Sequence, residues 1–468
     1  MTRSNPYSVT MEVLRKTEKN GAYLNIALHH SLNRACLSER DGYLVTDLCN
    51  GIIRQRLTLD YLWNRMIDRG FKKIQPAMVD LLRIGIYRLK YHSVNSPGFI
   101  HALLEVAKGY VSQGAVGMLN AVFRRFLLEM DAIPWPDAHE KPADYLSVYY
   151  SQPLWLVKRW LARFGFDAAA SLCSFNNTKP PLVVRINTFK IALEKACGYF
   201  KDKGIDFEIS PYFCDALRIT GHWNPAEDPA FRDGWFYLQD ESSMLPAYIL
   251  KPKPGEYVID LCAAPGGKTA YLAQLMENRG KIDAWDIHPH KLQLLRENMI
   301  RMGFSIVNPV LGDAREISAQ TLQADGIILD APCSGTGVLR RRADARWRKQ
   351  PGDLEKLTEL QRELLDRAAK VLKPGGRLVY STCSLEPEEN DMQIKNFMYR
   401  NPEFTELPLN PEFPPAWAEK MPEVQGCYYI LPQQWNVDGF FIALLKKQVI
   451  AGEIGTSRNK SPNPGKEA

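Results

Sequence analysis

Ten residues, Asp260–Thr269 (D-L-C-A-A-P-G-G-K-T), constrain the fold of this chain more than any other stretch. They follow a short apolar run, Tyr257–Val258–Ile259, and open a segment in which Leu272, Leu275 and Met276 fall on one helical face. A strand entering a glycine turn and then a helix aims backbone N–H groups, and the positive end of the helix, at a small anionic ligand. Gly266 and Gly267 let that ligand come close to the backbone. G-K-T also ends the phosphate loop, but that motif needs glycine at 262, where Cys262 stands. The dinucleotide turn G-x-G-x-x-G is absent as well. The ligand is therefore expected to be neither a nucleoside triphosphate nor NAD.

From residue 251 onward strands and helices alternate. Lys281–Asp286 reads as a strand, Pro289 opens a helix that Gly303 closes, and Val307–Leu311 leads to Gly312–Asp313. Gly326–Leu329 runs into Asp330, a long helix spans about 353 to 372, and Arg377–Thr382 is another strand. Such alternation predicts a doubly wound α/β sheet, whose ligands lie beyond the carboxyl ends of the strands. Asp260, Asp286, Asp313 and Asp330 each fall at a predicted strand end, so all four can line one crevice. Asp286 is placed to accept both hydroxyls of a ribose, and Asp313 the exocyclic amine of an adenine. S-adenosylmethionine, a cation with a ribose, an adenine and an amino-acid tail, suits that crevice.

Cys333, in D-A-P-C-S-G-T-G (330–337), and Cys383, in S-T-C-S (381–384), stand at the same predicted edge. Carbon 5 of a cytosine is too weak a nucleophile to attack a methyl donor unaided. A thiolate added at carbon 6 makes the ring an enamine, and the thiolate leaves once the carbon 5 proton is removed. Asp330, three residues before Cys333, can support the charge that builds at N3 and the amino group. The residues alone do not order the two cysteines. The other seven, at 36, 49, 173, 197, 214, 262 and 427, form no C-x-x-C pair, which points to a reduced, cytoplasmic chain with no metal.

Residues 1–130 read as all-α, 131–143 as a linker rich in proline and polar residues, and 144–250 as a small α+β module. Arg54, Arg56, Arg65, Arg69, Lys72 and Lys73 cluster in the first of these, a pattern that usually marks a solvated helix face. Across 468 residues, 59 basic and 53 acidic side chains leave only +6, so a polyanion would have to be bound by local clusters. No apolar run is long enough to span a membrane, and residues 448–468, rich in Ser, Asn, Pro, Gly and Lys, read as a disordered tail.

Two resemblances extend this reading. E-R-D-G-Y-L-V-T-D-L-C-N-G-I-I-R-Q-R-L-T-L-D (39–60), L-L-R-I-G-I-Y-R-L-K-Y (81–91) and G-M-L-N-A-V-F-R-R-F (117–126) resemble the NusB-like helical domain, whose members bind RNA. D-L-C-A-A-P-G-G-K-T, D-I-H, G-D-A, D-A-P-C-S-G-T-G and S-T-C-S, in that order, resemble the Sun family of RNA 5-methylcytosine methyltransferases. Residues 1 to 447 together are similar to its bacterial RsmB type, which modifies small-subunit 16S ribosomal RNA. The resemblance implies an S-adenosylmethionine-dependent, Rossmann-like methyltransferase domain over 251–447. It implies that Cys262, Ala263, Ala264, Pro265, Gly266, Gly267 and Lys268 wrap the methionine part of the cofactor, with Asp286 on the ribose, Asp313 on the adenine and Asp330 between cofactor and base. It also implies that Cys383 is the nucleophile and that Cys333 assists product release.

RNA contacts are expected from two places. Arg185 and Asn187, in R-I-N-T-F-K, lie at a strand end, where the family comparison points to RNA. Arg340, Arg341, Arg342, Arg346, Trp347, Arg348 and Lys349 form the most basic short stretch, suited to phosphate contacts and base stacking. A monomer acting on single-stranded or everted cytosine is expected. The alternatives are methylation of another RNA such as tRNA, and a non-catalytic ribosome-assembly or antitermination factor, which would need neither reactive cysteine.

Overall fold

The structure, a computed structural model, describes residues 4–19, 21–67, 74–92, 97–221, 223–318, 323–421 and 426–449. Arg69, Lys72, Lys73 and the tail from 450 onward lie outside them. The chain divides into two compact units, one made of Met1–Pro180, Thr336–Pro351 and Pro432–Asn436, the other of Pro181–Gly335, Gly352–Leu431 and Val437–Ala468.

The first unit is helical. Helices Pro6–Lys19, Leu24–Arg34, Glu39–Arg54, Arg56–Met66, Pro76–Tyr91, Pro97–Ala107 and Gln113–Glu129 follow one another. Their starts are chemically marked: the Ser38 side chain accepts the Asp41 N–H, the Ser112 side chain accepts that of Ala115, and Pro76 occupies a first turn. Leu48, Leu59, Leu81, Ile84, Leu119 and Phe123 are fully buried in the shared core. Two glycines set how closely the helices approach. A Cβ at Gly51 would meet the Tyr87 hydroxyl at 2.0 Å, and one at Gly85 would meet the Phe123 ring at 2.2 Å. Buried Arg83 ties the bundle electrostatically, donating to Asp60 at 2.7 and 2.8 Å and to Glu18 at 2.6 Å. Asp80, 3.7 Å from the same guanidinium, is pushed up to about 7 by burial, with the Glu18 charge adding to it.

This unit continues through Pro142–Tyr149 and Leu154–Phe175 as far as Pro180. Polar ties explain why the stretch expected to be a linker does not end it. Thr58 Oγ1 donates to the Val148 carbonyl at 2.7 Å, the Leu57 N–H donates to Ser151 Oγ at 2.9 Å, and Tyr61 stacks on Trp135 at 5.5 Å. The second of these helices is longer than the Leu154–Phe164 period suggests, because it bends at Gly165 (φ 78°) and goes on.

The second unit holds two sheets. β1 (Leu182–Ile186), β2 (Phe207–Ile209), β3 (Ala216–Ile219) and β4 (Phe236–Leu238) pair antiparallel in the order β2-β3-β1-β4. Val184, Ile186, Phe200, Leu217 and Phe236 form their buried side. The larger sheet has β5 (Tyr257–Leu261), β6 (Lys281–Asp286), β7 (Val307–Leu311), β8 (Ala324–Asp330), β9 (Leu372–Thr382), β10 (Phe404–Glu406), β11 (Cys427–Ile430) and β12 (Phe440–Lys447). Its order is β10-β12-β9-β8-β5-β6-β7, with β11 also on β12. The pairs β6–β7, β5–β6, β5–β8 and β8–β9 are parallel, while β12 runs antiparallel to β9, β10 and β11. This is the mixed α/β sheet that the alternation predicts. N-V-D-G-F-F-I-A-L-L-K-K (436–447) reads from the sequence as an amphipathic closing strand, whereas Phe440–Leu445 of β12 are all buried, because the strand is inserted between β9 and β10. No helix among the described residues is long and apolar enough to cross a membrane.

Two measurements probe the helical core. Gly85→Ala gains helix propensity but drives a methyl into Phe123, so a net loss of about 1–3 kcal/mol is expected from the urea midpoint. Asp80 holds a proton in the folded state that the unfolded chain releases above about pH 4, so its contribution to stability falls as pH rises to about 7. Asp80→Asn removes that slope, and its midpoint should match wild type near pH 4 and exceed it by a margin that grows up to about pH 7.

Candidate active site

The parallel register brings the candidate site residues together. β8 and β9 align Asp330 with Ser381, and the Ala331 N–H donates to the Ser381 carbonyl at 2.9 Å. The loops that leave both strands therefore start at one level, and the Cys333 and Cys383 sulfurs come to 3.3 Å. Cys333 is partly buried, and its thiol is pushed well up, first by the hydrogen bond with Cys383, then by burial, with the Glu389 and Asp330 charges adding to it.

The β5 turn completes this edge. Asp260, fully buried at the end of β5, accepts from Thr269 Oγ1 at 2.6 Å and so ties the strand to the first turn of helix Gly267–Leu275. Burial pushes its carboxyl up to about 7. Between them the backbone turns left-handed at Cys262 (φ 61°) and Gly266 (φ 101°). A Cβ at Gly266 would meet Leu295 at 2.9 Å, so that position needs glycine on both counts. Ala263 is buried, Ala264 donates its N–H to Asp286 at 3.2 Å, and the Pro265 carbonyl accepts from Asn298 at 3.2 Å. Burial, aided by the Asp286 charge, pushes the Cys262 thiol up, which suits a loop residue rather than a nucleophile.

Lys268 projects from this helix to Asp330. Its Nζ lies 2.7 Å from the carboxylate and 3.1 Å from Ser243 Oγ, while Ser381 Oγ donates to the other Asp330 oxygen at 3.0 Å. Asp330 is thus fixed between a cation and a hydroxyl at the edge where the thiols meet.

The remaining acids hold their expected strand ends. Asp286 closes β6 and accepts the His288 N–H at 2.9 Å. Asp313, two residues beyond β7, is gripped by Arg315, whose guanidinium reaches its oxygens at 3.0 and 2.6 Å. Arg315's hydrogen bonds hold the Asp313 carboxyl below the usual carboxylate range. Each carboxylate oxygen keeps acceptor capacity for a ribose hydroxyl or an amine. One buried polar atom here, Asp260 Oδ1, has no hydrogen-bond partner among the described residues. A crevice with acids at four strand ends, a left-handed glycine turn and an unused buried oxygen fits a nucleoside cofactor with an ammonium-bearing tail.

The RNA expectations require correction. Arg185 and Asn187 are fully buried. Arg185 donates to Gln239 at 3.0 Å, Gln274 at 2.6 Å and the Gly267 carbonyl at 3.3 Å, and lies 4.4 Å over the Tyr271 ring. Asn187 Nδ2 donates to the Gly234 and Met302 carbonyls, both at 2.9 Å. Both face inward because their donors complete buried carbonyls and amides, so they brace the fold and the Gly267 turn.

Much of the 340–349 stretch is likewise spent within the helical unit. Arg340 donates to Asn436 at 2.9 Å and to the Lys179 carbonyl at 2.8 Å. Arg346 is 1% exposed and feeds the carbonyls of Ser151, Asn176, Leu339 and Arg54 at 2.9 to 3.2 Å. Trp347 Nε1 donates to the Ile53 carbonyl at 2.7 Å, and Arg348 pairs with Asp344 at 3.0 Å. Arg341 and Arg342 are exposed and Lys349 half-exposed. The sequence reading gave no role to Ser243, Ser381 and Glu389; closeness to Cys383 was the local signal for the last two, and Ser243, 25 residues before Lys268, carried none.

Three family models match the chain in succession: the NusB family over 5–127, the ferredoxin-like domain of RsmF/B-like methyltransferases over 152–224, and the 16S rRNA methyltransferase RsmB/F over 247–446. A Bacillus subtilis (strain 168) relative is 35% identical over 96% of this chain and 100% of its own. A Vibrio cholerae serotype O1 protein named ribosomal RNA small subunit methyltransferase B is 31% identical over 93% of this chain and 98% of its own. The crystal structure of PH0851 superposes with a TM-score of 0.78 at 30% identity, covering 95% of this chain and 99% of that one. Similar from end to end to these proteins, the chain belongs to the RsmB/F family of 16S rRNA methyltransferases.

Proposed function

We propose that the chain transfers a methyl group from S-adenosylmethionine to carbon 5 of a cytosine in small-subunit ribosomal RNA, through a covalent adduct on Cys383. The observation that carries this reading is the pair of sulfurs 3.3 Å apart beside an Asp330 anchored by Lys268. S-adenosylmethionine supplies an electrophilic methyl when bound. Residues 262–268, Asp286 and Asp313 hold it, while Asp330 lies between it and the base.

Cys383 forms a bond from sulfur to carbon 6, and the ring's displaced electrons gather at N3 and the amino group. Asp330, kept from turning away by Lys268 and Ser381, accepts from the amino group and positions the ring, and N3 takes up a proton as the charge gathers there. Carbon 5 then takes the methyl, whose bond to the sulfonium breaks and leaves a neutral thioether; a base, solvent included, removes the carbon 5 proton, and the carbon 6–sulfur bond breaks to return its electrons to the Cys383 thiolate and restore the ring. Cys333 assists this release. Its sulfur, 3.3 Å from that of Cys383, lies within hydrogen-bond reach of the thiolate that leaves. The reading includes a protein that acts as a monomer and in the cytoplasm, the compartment that a ribosomal RNA substrate points to. Arg341, Arg342 and Lys349 remain the candidates for RNA phosphates.

Labelled S-adenosylmethionine and unmodified small-subunit ribosomal RNA test the reaction directly: wild type should label carbon 5 of cytosine and Cys383→Ala should not. Transfer undiminished in Cys383→Ala would remove its nucleophilic role. Cys333→Ala should accumulate a protein–RNA adduct on a denaturing gel. The basic stretch should split in two. Replacing Arg341 and Arg342 by alanine should leave the unfolding midpoint within about 0.5 kcal/mol and flatten the salt dependence of RNA binding by about 1.4 log units per log unit of salt. Arg346→Ala, which strands several buried carbonyls, should instead cost roughly 2–4 kcal/mol of stability.

A further inference from the structure

Glu389 takes no part in the chemistry above, yet it is fully buried within hydrogen-bonding reach of both cysteine loops. One carboxylate oxygen accepts the Ser334 N–H at 2.8 Å and Gln361 Nε2 at 3.1 Å. The other accepts the hydroxyls of both Ser334 and Ser384. Ser334 follows Cys333, and Ser384 follows Cys383. Their hydroxyls lie 3.0 Å apart, bridged by that one oxygen. Gln361 also donates to the carbonyl of Pro332, the residue before Cys333, at 2.8 Å. The four donors are all neutral and saturate the carboxylate.

The adjoining residues lock the same loops from behind. Tyr380 Oη donates to the Glu389 carbonyl at 2.6 Å, Thr382 Oγ1 to Asn390 at 2.6 Å, and Asn390 Nδ2 to the Ser384 carbonyl at 2.9 Å. Every residue flanking a reactive thiol, 332 and 334 on one loop and 382 and 384 on the other, is thus tied to Glu389 directly, through Gln361, or through Asn390.

We propose that Glu389 is a positioning residue for methyl transfer: its carboxylate clamps the two thiol-bearing loops at the spacing the covalent step and the release step require. The inference rests on the roles of Cys383 and Cys333 given above. A buried carboxylate without a cationic partner is costly to retain for stability alone, since a well-packed apolar side chain would serve as well. What an apolar side chain cannot do is accept from both loops at once. The clamp also sets the angle of Cys383 towards carbon 6, where a misplacement of about 1 Å costs on the order of 100-fold in rate.

Glu389→Gln keeps the shape of the side chain but replaces one acceptor oxygen with a donor. In the full-length protein we expect kcat to fall about 100-fold, while KM for ribosomal RNA and the dissociation constant for S-adenosylmethionine stay within about twofold. In a Cys333→Ala background, adduct formation in a single turnover should slow by the same factor. Glu389→Gln and Ser384→Ala should be strongly non-additive in a double-mutant cycle, because they interrupt one device. A Glu389→Gln protein that binds S-adenosylmethionine and turns over within about threefold of wild type would overturn the clamp. So would losses that simply multiply in the cycle. Should Glu389→Gln fail to bind S-adenosylmethionine, Ser334→Ala with Ser384→Ala removes both bridging hydroxyls and leaves the carboxylate in place. Wild-type kcat in that variant would likewise sink the proposal. Transfer retained by Cys383→Ala would discard the nucleophile reading instead, so the two failures are told apart.

Discussion

The site depends on the parallel pairing of β8 with β9. Because Asp330 stands opposite Ser381, two loops from distant parts of the sequence leave the sheet at one height, and their cysteines meet. Parallel strands need a long crossover, and here that crossover carries helix Pro351–Val371, whose Gln361 returns to the cysteine loops. Ladder hydrogen bonds between the two strands therefore set the geometry more firmly than any contact between the thiols themselves.

Burial acts on the ionisable groups of this edge in a consistent direction. It raises Cys262 and Asp260, and adds to the rise that the Cys383 hydrogen bond gives Cys333, whereas Asp313, nearer solvent and paired with Arg315, is held below the usual carboxylate range. Lys268 gives Asp330 a cation of its own at 2.7 Å. Neighbouring acids of the same type can thus be told apart by what surrounds them: Asp260 fastens the turn, Asp330 is held between Lys268 and Ser381, and Asp313 offers a fixed charge.

The strand ends and their acids were legible in the sequence because a parallel sheet buried on both faces demands apolar runs, and an acid that closes such a run marks the ligand edge. The two cysteines were legible as a pair through proline, serine and glycine beside them. Direction was not legible. Arg185 and Asn187 read as projecting outward, since nothing local reveals that carbonyls at Gly234, Gly267 and Met302 wait for their donors. The arginines of 340–348 read as RNA contacts for the same reason: the acceptors of Arg340 and Arg346 include Arg54, Ser151, Asn176 and Lys179, remote in sequence. Glu389, inside an acidic run, carried no local mark of burial. β12 read as amphipathic because its pairing with both β9 and β10 cannot be inferred from its own residues.

Arg346 gives the helical unit a property that a linear domain map hides. The segment Thr336–Pro351 belongs to that unit although it is encoded between Cys333 and Cys383, and the Arg346 guanidinium completes carbonyls of Arg54 and Ser151, encoded nearly 300 and 200 positions earlier. The unit is therefore discontinuous in the gene. A fragment ending near residue 180 would lack its own plug, and a catalytic fragment starting there would carry an arginine built for a socket it no longer has. The helical part is not an appendage that shuffling could add to or remove from a finished enzyme; the two parts of this chain are bound to be inherited together.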